Sequence, residues 1–301
     1  MELYQMRYVL AVADHGNFTR AAAALHVVQP ALSQGIRRLE KELGLQLFDR
    51  IPRGIRPTAA GDAFIHHIRR ALADVERAER AVAELRDLKT GRVALGLTPS
   101  ATIAVLPRLL EMYRSEFPGI QVEVVEEMTD ALVDLLAAGR VDLALVSLPI
   151  DAAEIVAEPL YDERLALTIG RDHRLVGAKC VTLADLAEEM WILPYRRHGV
   201  RRLIEEACEA AGFVPRIAVE LTGLGPIKEL VKRGLGISVL PPAVVAPEAS
   251  LGLLAMVPIS SPALIRTVGV ARRSGDHLTR AAARMLDMVR AIAEDMTNLD
   301  E

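Results

Sequence analysis

Gln29-Pro30-Ala31-Leu32-Ser33-Gln34-Gly35-Ile36-Arg37-Arg38-Leu39-Glu40-Lys41-Glu42-Leu43 decides how the chain reads. Leu32, Ile36, Leu39 and Leu43 recur in steps of three and four, the inner stripe of a helix. Pro30 suits the first turn, where a missing N–H leaves nothing unpaired. Pro30, Ser33, Gln34, Arg37, Arg38 and Lys41 fall on the opposite side. Upstream, Leu3, Met6, Val9, Leu10 and Ala13 mark one helix, ended at His15-Gly16-Asn17. Asn17 caps a second helix over residues 18–25, whose four alanines allow close backbone approach. Downstream, residues 44–50 and 54–58 read as two short strands around a turn, decorated by Arg50, Arg53 and Arg56.

Helix, short turn and helix is the helix-turn-helix pattern, whose second helix lies in the DNA major groove with its first residues near base edges. Gln29, Ser33 and Gln34 offer donors and acceptors to bases, and an amide reads adenine bidentately. Arg37 and Arg38 lie further along and suit phosphates. A basic hairpin beside such a helix is a wing that reaches phosphates or the minor groove. The charge distribution agrees. Residues 1–60 carry eight Lys/Arg against five Asp/Glu, while the 211 residues after position 90 carry 22 against 29. The overall charge of −4 thus hides a basic end on an acidic body.

In order and at matching spacing, five runs resemble the LysR-type transcriptional regulators: Asn17-Phe18-Thr19-Arg20-Ala21-Ala22, Gln29-Pro30-Ala31-Leu32-Ser33, Ile36-Arg37-Arg38-Leu39-Glu40, Leu47-Phe48-Asp49-Arg50 and Thr58-Ala59-Ala60-Gly61. The resemblance implies double-stranded DNA as partner. It carries the family's DNA contacts onto Gln29, Pro30, Ser33, Gln34 and Arg37, with Arg50 and Arg53 in the wing. Two departures stand out. Val28 occupies the place where the family commonly has a Ser or Thr cap, a loss of ~0.5–2 kcal/mol. Gly35 replaces a long polar residue, costing roughly 0.5–1 kcal/mol of helix propensity. Together they predict a recognition helix that is softer without DNA and lacks one base-contacting side chain.

Thr58 caps a long helix running to about residue 88. Phe64, Ile68, Ala71, Val75, Ala78, Val82 and Leu85 alternate steps of four and three, a heptad seam. Such a seam spans roughly 33 Å and outreaches the small N-terminal module. Phe64, Ile68, Val75, Val82 and Leu85 are therefore expected to meet a second copy, and the resemblance implies an antiparallel pairing of this helix. A homodimer, assembling further to a homotetramer, needs a near-palindromic operator.

From residue 91 strands alternate with helices. Strands are expected at 93–97, 121–126 and 142–147, with helices through 105–117 and over 129–138 between them. A second series has strands at 164–169, 191–193, 216–221 and 236–240 and helices over 200–211 and 226–233. Strands at 254–257 and 266–271 and a helix over 279–296 return the chain to the first half. The expected architecture is α/β: a winged helix-turn-helix over 1–58, a linker and dimerisation helix over 59–89, and an effector-binding domain over 90–301. That domain resembles the two-lobed periplasmic solute-binding proteins, with lobe I at about 90–162 and 267–301 and lobe II at about 163–266. Leu106-Pro107, Gly139-Arg140-Val141-Asp142-Leu143-Ala144 and Gly234-Leu235-Gly236-Ile237-Ser238-Val239-Leu240-Pro241 extend the LysR resemblance over nearly the whole chain.

Ligands of open α/β sheets sit beyond the carboxyl ends of the strands. Ser100, Thr102 and Thr129 stand at such ends beside helix starts, where free N–H groups hold anions. Ser147, Tyr195, Arg196 and Thr222 come next. These residues point to a small anionic effector, a carboxylate foremost, controlling transcription by RNA polymerase.

No nucleophile elbow, phosphate loop or complete dinucleotide fingerprint occurs, so an enzyme on a two-lobed fold is the weaker reading, and no cofactor or metal is expected. A thiol redox sensor is the other alternative. The family's peroxide-sensing members use a closer cysteine pair than Cys180 and Cys208, 28 apart. Two cysteines build no disulfide framework, no apolar run approaches ~18 residues, and Glu2, Arg7 and Asp14 do not fit a secretory signal. A cytoplasmic protein is expected, with no membrane partner.

Overall fold

The computed structural model describes residues 1–51, 54–86, 91–196, 198–260, 264–275 and 277–299. The chain divides into two units, residues 1–86 with 137–140 and residues 87–136 with 141–301.

The first unit holds α1 (Leu3–His15), α2 (Phe18–Ala24), α3 (Gln29–Leu43), the hairpin β1 (Phe48–Ile51) and β2 (Gly54–Pro57), and α4 (Ala59–Arg86). Asn17 caps α2 by accepting from the N–H groups of Thr19 and Arg20 at 2.8 and 3.1 Å. Val28 precedes α3 without a side-chain cap. Val9, Val12, Ala21, Leu32, Ile36, Leu39 and Phe48 close the core. The inner stripe of α3 is shorter than its sequence suggests, because Leu43 is exposed just before Gly44 turns the chain left-handed. Thr58 caps α4 by accepting from Gly61 N–H at 3.0 Å, and its hydroxyl donates to Gln46 O at 2.7 Å. Gly61 is obligatory there, since a Cβ would lie 2.0 Å from Leu47 O.

The second unit has two lobes. Lobe I is a five-stranded sheet ordered β4-β3-β5-β12-β6, built from β3 (Gly91–Leu97), β4 (Ile120–Glu126), β5 (Leu143–Leu148), β6 (Ile155–Arg164) and β12 (Ile265–Arg273). β3 runs parallel to β4 and β5, while β12 is antiparallel to β5 and β6. Helices α5 (Pro99–Ala104), α6 (Leu106–Glu116), α7 (Thr129–Ala137) and α11 (Arg280–Leu299) accompany it. Leu95, Leu97, Leu109, Tyr113, Leu145, Met285 and Val289 form its core. Lobe II contains β7 (Ala166–Gly170), β8 (Met190–Pro194), β9 (Arg216–Leu221), β10 (Ser238–Leu240) and β11 (Leu254–Pro258), with α8 (Gly199–Ala210), α9 (Leu224–Lys232) and α10 (Pro242–Ser250). Trp191, fully buried, packs with Leu167, Leu193, Ile204 and Ile237.

Three elements differ from the sequence reading. Residues 149–163, given no element, supply most of β6, an edge strand, which is where a sheet tolerates a proline such as Pro159; a register shift between Val268 and Gly269 sits opposite. Residues 242–250 form α10 despite Pro247 inside it. The helix expected through 105–117 is α6, and a separate short helix, α5, precedes it, the two divided at Val105 ahead of Pro107.

Candidate functional site

Two surfaces carry chemistry. On the first unit, Gln29, Pro30, Gln34, Arg37 and Arg38 are exposed along one side of α3, and Ser33 is half-buried. Gln29 Nε2 donates to Ser33 Oγ at 2.8 Å, so the amide and hydroxyl are already paired across one turn. Glu40 Oε1 accepts from Leu47 N–H at 2.8 Å and ties α3 to the hairpin. Ser33, Arg37, Gln46, Phe48 and Asp49 wall a concavity of about 340 Å³ between helix and hairpin. Arg50 belongs to β1, its side chain lying outside the described set, and Arg53 lies outside the described residues.

Gly35 requires a correction. It faces inward, not toward DNA: a Cβ there would lie 2.9 Å from the Tyr8 ring, and its carbonyl accepts from Gln5 Nε2 at 3.2 Å. The glycine lets α3 pack closely on α1, so no base-contacting position is lost.

Along α4, Ile68 is buried in the module's own core and Phe64 packs against it, so the seam does not begin as an open face. Val75 is half-buried, Ala71 and Ala78 are exposed, and Val82 is 60% exposed. The Leu85 side chain lies outside the described set.

On the second unit, a cleft of about 590 Å³ opens at the starts of α7 and α8. Thr129, Ser147 and Arg196 line it, together with His198, Arg202 and Arg266. Thr129 Oγ1 accepts from Ser147 N–H at 3.2 Å, which holds the two side by side. The other four residues expected at the site do not line the cleft. Ser100 is buried because its hydroxyl accepts from Arg266 Nη2 at 2.8 Å. Thr102 turns back onto its own helix, donating to Thr98 O at 3.3 Å. Tyr195 and Thr222 are exposed outside the walls.

The sequence reading missed two central residues. Arg266, on β12, is only 8% exposed and binds Glu163 Oε2 through Nε at 2.6 Å. His198, 5% exposed, caps α8: its Nδ1 accepts from Val200 N–H at 3.3 Å. That bond fixes the proton on Nε2, which is buried and meets no partner among the described residues. Burial, then the nearby Arg266 charge, push the His198 pKa down to about 4. The ring is therefore a neutral donor at pH 7. A signal was available, since His198 directly precedes the stripe Val200, Ile204, Cys208.

The cysteines differ in kind. Cys180 is exposed, while Cys208 is fully buried in lobe II. Burial, then Glu205, raise the Cys208 thiol to about 12. Among the described residues no group of three or more His, Cys, Asp or Glu could hold a metal, and no helix is long and apolar enough to cross a membrane.

A winged helix-turn-helix joined to a two-lobed binding domain defines a class of ligand-responsive DNA-binding regulators. The comparisons narrow it. Residues 3–62 match the family described as bacterial regulatory helix-turn-helix protein, lysR family, and residues 86–294 match the LysR substrate binding domain. The DNA-binding transcriptional dual regulator OxyR of Escherichia coli K12 is 30% identical over 97% of this chain and 95% of its own. A full-length OxyR variant from Pseudomonas aeruginosa superposes with a TM-score of 0.75 at 26% identity, covering 98% of this chain and 95% of that one. Full-length CbnR complexed with its target DNA gives 0.71 at 26% identity, covering 97% and 100%. The chain belongs to the LysR family of transcriptional regulators: a DNA-binding protein with an effector-binding domain, and not an enzyme.

Proposed function

We propose that the chain works in the cytoplasm as a dimer, assembling to a tetramer, that binds a near-palindromic operator and governs RNA polymerase in response to a small carboxylate. Residues 1–58 form the DNA-binding module, 59–89 the pairing helix and 90–301 the effector domain. Gln29, Pro30, Ser33 and Gln34 face base edges, while Arg37, Arg38, Arg50 and Arg53 meet phosphates. Val75, Val82 and Leu85 join the copies.

The observation that carries the effector reading is the orphan Nε2–H of His198 beside Arg266 in the cleft. A buried donor without an acceptor costs roughly 1–3 kcal/mol. A carboxylate oxygen satisfies it, and Arg266, Thr129 and Ser147 stand ready for the remaining lone pairs. An effector acts only through its different affinity for two assemblies, typically ~1–3 kcal/mol of coupling. A thermal-shift screen of small mono- and dicarboxylates tests this, since a ligand of the native form raises its melting point. The expected hit loses its shift in His198→Ala, whereas hits indifferent to His198 would end the reading.

A thiol switch is the second reading, prompted by the OxyR relatives. The Cys208 thiol argues against it, because reactive thiols have lowered pKa values and some exposure. A peroxide-dependent change in DNA binding that survives Cys180→Ser and vanishes in Cys208→Ala would restore it.

A further inference from the structure

The cleft at the starts of α7 and α8 carries charges that a plain carboxylate leaves unused. Arg266 is held by Glu163, and Arg202 Nε lies 3.7 Å from Glu206 one turn on along α8. One cation and one anion of the lining remain, Arg196 and Asp130, both exposed and neither with an ion-pair partner among the described residues. They belong to opposite lobes. Arg196 stands two residues ahead of His198, whose orphan Nε2 is buried in the same cleft; Asp130 follows Thr129 in the first turn of α7. Glu126 and Glu127, exposed just ahead of α7, add to the acidic side. The lining also includes the apolar Leu148, Pro149, Leu203 and Ile265.

We propose that the effector is a zwitterionic amino acid with an apolar side chain, its carboxylate taken by His198 and Arg196 and its ammonium by Asp130. This rests on the cleft being the effector site and fixes the ligand's charge and side chain. A monocarboxylate satisfies the His198 donor but leaves Asp130 without a counter-charge. A dicarboxylate brings like charge toward it. A zwitterion answers both signs and carries no net charge into the cleft. The ammonium–carboxylate hydrogen bond is charge-assisted, and it gains strength where the ligand displaces water. A cleft of about 590 Å³ falls within the range of small-molecule sites and leaves room for a side chain against the apolar lining.

Two other roles for Asp130 predict different behaviour. An acid in the first turn of a helix offsets the helix dipole, which affects the stability of the free protein and not its choice of ligand. A contact with Arg202 formed as the lobes close would strengthen the binding of every ligand equally.

The experiment is isothermal titration calorimetry on the full-length protein. The probes are L-valine, L-leucine, L-methionine and L-phenylalanine, each beside the acid that lacks its amino group and the amide that lacks its carboxylate; for leucine these are 4-methylpentanoate and leucinamide. At least one amino acid should bind, and about tenfold or more tighter than its two counterparts. Asp130→Asn should cut its preference over the deaminated acid to about twofold or less, with the affinity of that acid unchanged. His198→Ala should weaken both acids alike. Equal affinity for the amino acid and its deaminated counterpart, or a preference that survives Asp130→Asn, overturns the zwitterion and leaves the carboxylate reading standing. Equal weakening of both in Asp130→Asn also overturns it, in favour of the closing contact. Binding confined to L-lysine or L-glutamate, run alongside, overturns the apolar side chain. If no acid binds, with or without an amino group, the cleft reading itself fails and the proposal falls with it.

Discussion

Glu163 and Arg266, 103 residues apart in sequence, form an enclosed ion pair with Nε and Nη2 each 2.6 Å from the same carboxylate oxygen. The two residues are direct register partners where β6 leaves lobe I and β12 returns to it, one position in from the strand ends Arg164 and Ile265. Arg266 Nη2 also reaches Ser100 at the start of α5. One guanidinium thus ties together two crossing strands and the start of α5. Because the pair is buried, removing one partner strands a charge. Glu163→Ala should lower folding stability by about 3–5 kcal/mol, and Glu163→Ala with Arg266→Met should recover much of it. Denaturant titration of the four-protein cycle measures this; additive losses would show the two side chains act independently.

Acid should weaken the fold through His198. Its ordinary pKa of 6.5 falls to about 4 on folding, so the unfolded chain binds a proton that the native chain refuses. Stability is then complete above about pH 6.5 and is lost as pH falls toward 4, by at most about 3 kcal/mol. His198→Gln should flatten the stability profile in that window. An unchanged slope would show that the ring stays neutral in neither state or both.

Val28 is 70% exposed and leaves the first turn of α3 without a side-chain cap. Val28→Ser should add ~0.5–2 kcal/mol and raise hydrogen-exchange protection over residues 29–43. If the unmodified protein already protects 29–43 as strongly as 3–13, the recognition helix is not soft and the missing cap is compensated.

Gly35→Ala sets two effects against each other. Helix propensity favours alanine by roughly 0.5–1 kcal/mol, but the new Cβ meets the Tyr8 ring at 2.9 Å. The contact should win, leaving a net loss of stability that Tyr8→Leu relieves. A melting point raised by Gly35→Ala alone would refute the close approach.

The exposed Val82 on α4 should hold copies together. Val82→Glu should shift sedimentation toward smaller species at low micromolar concentration, while Ala63→Glu, on the exposed side near Phe64, should not. Identical sedimentation of parent and Val82→Glu would remove α4 from the assembly.

The recognition helix was legible because its apolar residues repeat at a strong helical period and its polar ones share a side. The first unit follows from such local signals. The cleft was only half legible. Thr129, Ser147 and Arg196 stood at strand and helix ends, where general rules look for ligands. Arg266 and Glu163 were invisible, because nothing local announces that residues 100, 163 and 266 converge. β6 was missed because Pro159 interrupts its pattern, and only a sheet edge makes that acceptable. His198 carries only a local signal, its place just ahead of a helical stripe, which marks it as a cap.

The most direct test is fluorescence anisotropy on the DNA upstream of the protein's own gene, across a salt series and a panel of single-base variants, with Gln34→Ala and Arg37→Ala. Arg37→Ala should weaken every sequence alike and reduce the logarithmic salt slope by about one, and Gln34→Ala should relax preference at one position by ~1–3 kcal/mol. Loss of affinity at all sequences equally in Gln34→Ala, or no loss in either variant, would contradict the claim that α3 reads DNA.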